Sequence, residues 1–291
     1  MNHYLVFDIG GTEIKYGVIT EDATLIFKDK FPSRGTTGGK YILEDILEKV
    51  ALLSSYEPKG IAISSAGVIN SSTGEVLSAT NTIVDYIGMN VISYLKDRTN
   101  LDVSILNDVN AMALCETNVG AAKDSKFTIA LTVGTGIGGA IVLNNRLIEG
   151  NGYNAGEFGL MRFNNQDYEQ QAATSILVKN AQAVFGDSIK NGIDVFNLYD
   201  QKDEQAINLV NQFYDNLSVG IANLTFAFNP EVIVIGGGIT GRDSFINELQ
   251  SHVMAKLTPH LRKYTTLVAA KHKNDAGMIG AFFHYKNQYI R

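Results

Sequence analysis

The chain has 291 residues, of which 45% are hydrophobic and 19% charged, so it is long for a single core and has the apolar material for two α/β domains of ordinary size. Its 24 Lys and Arg against 30 Asp and Glu leave a net charge of -6, which, with no local basic cluster, argues against nucleic acid as a partner. A single cysteine, Cys115, excludes an internal disulfide framework and a Cys-built structural zinc site.

The opening stretch MNHYLVFDIGG lacks the basic region and long apolar stretch of a signal peptide, so the sequence predicts a cytoplasmic protein. Residues 4–9 (YLVFDI) read as a buried strand, Gly10-Gly11 as a turn, and 14–20 (IKYGVIT) as the antiparallel partner strand. A strand near 23–29, a helix near 39–53, a strand at 60–64 and a helix near 90–98 follow. The strand 103–106 leads directly into NDVNAMALCE, where Asn107 or Asp108 can cap a helix running to about 118.

The uncharged run Phe127–Leu143 is short for a membrane span and is interrupted by Gly134, Gly136, Gly138 and Gly139, so it reads as strand, glycine turn, strand. With the first hairpin it forms a weak internal repeat, suggestive of duplicated halves. Helices are expected at about 170–185, 193–199 and 203–228. The stretch VIVIGGGIT at 232–240 is a third strand ending in glycines, followed by a helix at 242–257, a strand near 266–269 and a last helix from about 276.

Glycine turns let backbone N–H groups approach a phosphate without a β-carbon in the way. Three of them, at 10–11, 134–139 and 236–238, two carrying Thr12 and Thr135, look like a nucleotide cradle. No GxxxxGK[ST] occurs, and GTGIGG runs into a strand rather than a helix, so neither the P-loop nor the dinucleotide fingerprint applies. Asp8 ends a buried strand with no adjacent basic residue in sequence, and is either a turn former or a Mg2+ ligand shared with phosphates. Lys15 is either a solvated strand lysine or a phosphate contact. Asp108 is either an N-cap or, if Asn107 takes that role, a carboxylate free to accept a proton from an attacking hydroxyl. Glu157 and Glu169 are either surface glutamates or a pair that holds sugar hydroxyls.

These residues fall into a known pattern. FDIGGTEIKYGVI resembles the first phosphate motif, DxGGTxIK, of the ROK sugar kinases in the actin-like ATPase superfamily. SSAGVINSSTGEV is similar to the SxPGxVDxxxGxV segment, with Ala66 at the usual proline. ILNDVNAMALCE resembles ENDANAAALAE, VGTGIGGAIVLNNRLIEG the second phosphate motif, and NPEVIVIGGGIT the adenosine segment.

The resemblance implies two ribonuclease-H-like α/β domains about a central cleft, 1–107 and 108–291, with the last helix placed on either. It implies Asp108 as catalytic base, with Gly67, Asn81, Asn107, Glu157 and Glu169 around a hexose. ATP falls to Gly10, Gly11, Thr12, Lys15, Thr135, Gly136, Gly237 and Gly238, and Mg2+ to Asp8, directly or through water. A homodimer is also implied, with no membrane or nucleic-acid partner.

The family's zinc segment, a His after GExG and then CxCGxxGCxE, is missing: the chain reads GEFGLMRFNNQDYE, with Leu160 at the histidine position. No zinc is therefore expected. Glu169 is matched through the similarity of EQQAATSILV to ExYASGTALV. The expected activity is transfer of the γ-phosphate of ATP to a sugar hydroxyl, O6 of glucose, of N-acetylmannosamine or of the glucose unit of a β-glucoside. The alternative is a sugar-sensing protein without turnover, lacking a DNA-binding domain because the first strand begins at residue 4.

Overall fold

A computed structural model describes residues 1–79 and 82–290. In chain order the elements are β1 (His3–Ile9), β2 (Glu13–Thr20), β3 (Leu25–Pro32), α1 (Gly39–Leu52), β4 (Gly60–Ser65), β5 (Val68–Asn70), β6 (Glu75–Ser78), α2 (Val91–Thr99), β7 (Asp102–Asn107) and α3 (Asp108–Asn118). Then come β8 (Phe127–Val133), β9 (Ile137–Leu143), β10 (Arg146–Leu147), β11 (Arg162–Phe163), β12 (Gln166–Asp167), α4 (Glu169–Ala172), α5 (Thr174–Phe185), α6 (Gly192–Asp200), α7 (Glu204–Phe228), β13 (Val232–Gly236), α8 (Phe245–Lys256), β14 (Leu267–Ala269) and α9 (Ala276–Tyr289). The chain divides into two compact units. The first combines Met1–Gly120 and Asn145–Ala155 with the C-terminal segment from Asn274, and the second combines Ala121–Asn144 and Gly156–Lys273.

In the first unit the sheet runs β3-β2-β1-β4-β7, antiparallel through the meander and parallel from β1 to β7. Its parallel strands are covered on both faces, which is why β4 (GIAISS) is buried throughout. Side chains alternate. Leu5, Phe7, Ile9, Ile61, Ile63, Val103 and Ile105 share a core with Ile42 and Ile46 of α1 and Val91 and Leu95 of α2. The opposite face of β1 meets α9, where the Tyr4 ring lies 5.2 Å from Phe282 and 5.4 Å from Tyr285. Asp8 belongs to this second face, two strand positions beyond Val6.

Helix α3 is buried from Val109 to Thr117 and packs along α9 so closely that a β-carbon on Gly280 would overlap the Ala111 backbone. A helix enclosed on every side loses the one-sided pattern of a surface helix.

In the second unit the strands run β9-β8-β13-β14, with β8 and β9 antiparallel and β8, β13 and β14 parallel. The order β2-β1-β4 of the first sheet recurs as β9-β8-β13, so the weak sequence repeat marks a repeated topology. Ile129, Leu131, Val133, Ile233 and Ile235 pack against Leu177 of α5, Phe213, Tyr214 and Leu217 of α7, and Leu249 of α8.

Two expected helices differ from observation. The span 170–185 is split at Ala173, whose extended backbone (φ -73°, ψ 151°) separates α4 from α5. Helix α8 starts at Phe245 rather than near 242, because a short 3-10 turn, Gly238–Gly241, first carries the chain off β13. The hairpins β5–β6 and β11–β12 were not expected. Among the described residues no helix is long and apolar enough to cross a membrane.

Candidate active site

The first hairpin places Asp8 directly opposite Lys15 across the antiparallel pair, and Lys15 Nζ lies 3.3 Å from Asp8 Oδ2. Asp8 thus has a basic neighbour that adjacency in sequence did not reveal, and Lys15 is engaged with it. On the other side, β4 brings Ser64 into register with Asp8, and Ser64 Oγ donates to Asp8 Oδ1 at 2.8 Å. Nothing singled out Ser64 from sequence; pairing GIAISS in parallel with YLVFDI would have found it. The turn itself is closed by Gly10 N–H donating to Glu13 O at 3.1 Å, and Thr12 at its tip is exposed. Gly11 packs against Thr82, leaving no space for a β-carbon.

At the C-terminal end of β7, Asn107 is the N-cap of α3. Its Oδ1 accepts from Val109 N at 2.8 Å and Asn110 N at 3.1 Å, satisfying two of the free donors at the helix start. Its amide nitrogen donates to Gly67 O at 2.9 Å, tying the strand end to a glycine whose φ of 108° suits no other residue. Asp108, the first residue of the helix, is only half-buried by exposure and shares the Val109 N–H through Oδ1 at 2.9 Å. Burial, and then the charge of Asp8, push its carboxyl up to about 6. That moves the group toward the range where a general base works near neutral pH. Asn81, expected beside the sugar, lies outside the described residues.

In the second unit the turn Gly134–Gly136 joins β8 to β9, with Thr135 exposed at its tip. The start of α5 fastens it: Ser175 N donates to Gly134 O at 3.2 Å and Ser175 Oγ to Thr135 O at 2.6 Å. Glu169, at the start of α4, accepts from Ile137 N through Oε2 at 3.1 Å, so this carboxylate braces the hairpin directly. Glu157 is exposed on the turn before Phe158. Partial burial of its carboxyl, and then the charge of Glu169, raise its pKa, which makes the two glutamates an interacting pair. Two carboxylates held this way can accept charge-assisted hydrogen bonds from neutral hydroxyls. Leu160, where the resemblance expects histidine, is 55% exposed.

Gly237 follows β13 with φ 99°, and a β-carbon there would collide with Val133 O. Only glycine lets the chain turn this close to β8. Gly238 faces open space. Beside these turns lies a cavity of about 760 Å3, lined by Val133, Val178, Ile193, Phe196 and Ile239 with Thr135 and Gly238 at its edge. A mostly apolar hollow of this size beside two glycine turns suits a flat ring attached to phosphates. Its lining from α6 carried no motif, and only folding brings that helix to the turns.

Among the described residues no three His, Cys, Asp or Glu side chains come together as a metal cage. Mg2+ keeps several waters and takes one or two carboxylates plus phosphate oxygens. Asp8, with Asp108 near enough to feel its charge, fits that sparse demand.

Comparison with known proteins identifies the family of the chain. The ROK family model matches residues 4–288. A β-glucoside kinase of Listeria monocytogenes is 35% identical, with 98% of each chain covered. A solved structure from Listeria monocytogenes, described as a candidate N-acetylmannosamine kinase, superposes with a TM-score of 0.89 at 32% identity, over 98% of this chain and 99% of that one. A ROK family glucokinase from Streptomyces griseus, solved with glucose and AMPPNP, gives a TM-score of 0.82 at 25% identity over 96% and 98%. With both sheets and every glycine turn inside the matched span, the chain belongs to the ROK family.

Proposed function

We propose that the protein is an ATP-dependent sugar kinase that transfers the γ-phosphate to O6 of a hexose unit. Asp108 accepts the O6 proton as that oxygen attacks the γ-phosphorus in line. The bond from phosphorus to the bridging oxygen breaks, and ADP leaves. Backbone N–H groups of the two hairpin turns, with Thr12 and Thr135, hold the phosphates, and the apolar cavity beside Gly238 takes the nucleobase. Bound Mg2+, held by Asp8 directly or through water, would neutralise phosphate charge. Asn107 and Gly67, linked by their hydrogen bond, and the pair Glu157 and Glu169 hold the sugar hydroxyls.

One observation carries the reading: Asp108 stands at a helix start already capped by Asn107, near enough to Asp8 to feel its charge. Because Asn107 already accepts from Val109 N and Asn110 N, the helix start does not depend on Asp108 for its cap.

The acceptor we favour is a β-glucoside, phosphorylated on its glucose unit, because relatives with this name are 35–36% identical, against 30% for a glucokinase. The test is ADP release with glucose, N-acetylmannosamine, N-acetylglucosamine and a β-glucoside disaccharide. Turnover stimulated by at least one of them, and lost in Asp108→Asn, is the expected result. No stimulation by any sugar, with sugar binding intact, favours a sensor.

A further inference from the structure

Three amide side chains line the cavity of the second unit, Gln182, Asn191 and Asn197, and hydrogen bonds fix the orientations of the first two. Gln182 Nε2 donates to Ile189 O at 3.0 Å, which leaves Oε1 as an acceptor. Asn191 Oδ1 accepts from Ile193 N at 2.8 Å and Asp194 N at 3.4 Å as the N-cap of α6, which leaves its Nδ2 as a donor. Ile189 lies two residues before Asn191, so both amides stand on the same stretch of rim.

We propose that Gln182 and Asn191 select adenine over guanine by presenting this acceptor and donor to the edge of the nucleobase. Adenine offers an amino donor beside a ring-nitrogen acceptor and matches the pair. Guanine offers a carbonyl acceptor where adenine has its amino group, and would set that oxygen against Gln182 Oε1. Neither amide can turn over to suit guanine without giving up a bond it already makes: Gln182 would lose the Ile189 carbonyl, and Asn191 would uncap α6. Both side chains are exposed, so water competes and the selection is moderate, about tenfold.

The inference rests on the nucleotide reading above, and binding separates it from turnover. Calorimetric titration with ADP and with GDP, without sugar, should show ADP bound about tenfold more tightly. Gln182→Leu removes the acceptor, and Asn191→Asp removes the donor while keeping the cap. Each should weaken ADP and not GDP, bringing the ratio toward one, whereas a purely structural role would weaken both equally. Equal affinity for ADP and GDP in the wild-type protein, or parallel losses in the variants, overturns the inference even if the kinase assay succeeds. A preserved ADP preference without turnover on any sugar overturns the kinase reading instead.

Discussion

A β-carbon on Gly277 would stand 2.5 Å from Asp8 Oδ1, 2.7 Å from Cγ and 3.0 Å from Oδ2, so the first turn of α9 leaves room for that carboxylate only because residue 277 is glycine. Asp8 has no easy retreat, since Ser64 and Lys15 hold its two oxygens. Gly277→Ala should therefore push Asp8 away from one or both partners. We expect kcat to fall on the order of 10²-fold, as for a displacement of about 1 Å at a reacting centre. The Mg2+ concentration for half-maximal rate should rise with it. Circular dichroism should remain that of the wild-type fold, because alanine favours a helix. Unchanged Mg2+ dependence would show that Asp8 is not placed by α9.

Asp108 must be ionised to accept a proton, and its carboxyl is raised to about 6. The rate kcat/KM should fall tenfold per pH unit below about 6 and level off above it. Asp108→Asn should lower kcat by about 10² to 10⁴-fold, the range for a general base, while sugar affinity stays near wild type. A profile flat to pH 4.5 in the wild-type protein would remove Asp108 from that role.

The same shift has a sign for stability. A carboxyl whose pKa is higher folded than unfolded binds its proton more tightly in the native state, so ionisation destabilises the fold. The cost begins as pH rises past the unfolded value and is complete above about 6. Partial exposure reduces it to on the order of 1 to 2 kcal/mol. Asp108→Asn should thus be more resistant to urea than wild type at pH 8, with the advantage shrinking to nothing near pH 4. The group would then cost stability where it serves chemistry.

Much of this site was legible because its chemistry is local in sequence. FDIGGT and VGTG announce hairpins whose turns need glycine, and NDVN places a cap and a carboxylate side by side. What could not be read was contact set by register and by helix return. Lys15 meets Asp8 only once the hairpin register is fixed, and Ser64 only once β4 is laid parallel to β1. Gly277 meets Asp8 from nearly the far end of the chain. Helix α3 was readable from its cap, but its buried Glu116 and Thr117 are residue types that composition assigns to solvent. The break at Ala173 has no proline or glycine to mark it; the turn Gly134–Gly136 uses the fresh helix start that the break creates, through Ser175.

Asn107 performs two tasks that substitution can separate. Asn107→Asp keeps the acceptor for Val109 and Asn110 but loses the donor to Gly67 O, whereas Asn107→Ala loses both. The alanine variant should be destabilised by about 1 to 2 kcal/mol, a typical cap value, and the aspartate variant by less. If the bond to Gly67 positions the sugar, both should raise the sugar KM. Wild-type sugar KM in Asn107→Asp would confine Asn107 to helix capping.

Glu169 offers a sharper separation, because its Oε2 serves the hairpin while the charge it carries is felt by Glu157. The carboxylate also explains a glycine: a β-carbon on Gly136 would collide with Oε2. Glu169→Gln retains an oxygen for Ile137 N–H, so the turn that carries Thr135 should keep its shape and ADP affinity should stay within about twofold of wild type, as for a neutral hydrogen bond in place of a charged one at a site not touching the base. Its sugar KM should rise by about tenfold or more, since hydroxyl donors lose a charged acceptor. Glu169→Ala removes the brace as well and should weaken ADP and sugar together. Should the glutamine variant bind sugar normally while the alanine variant loses only ADP, Glu169 would belong to the phosphate turn alone, and Glu157 would be left as the carboxylate that holds the sugar from this unit.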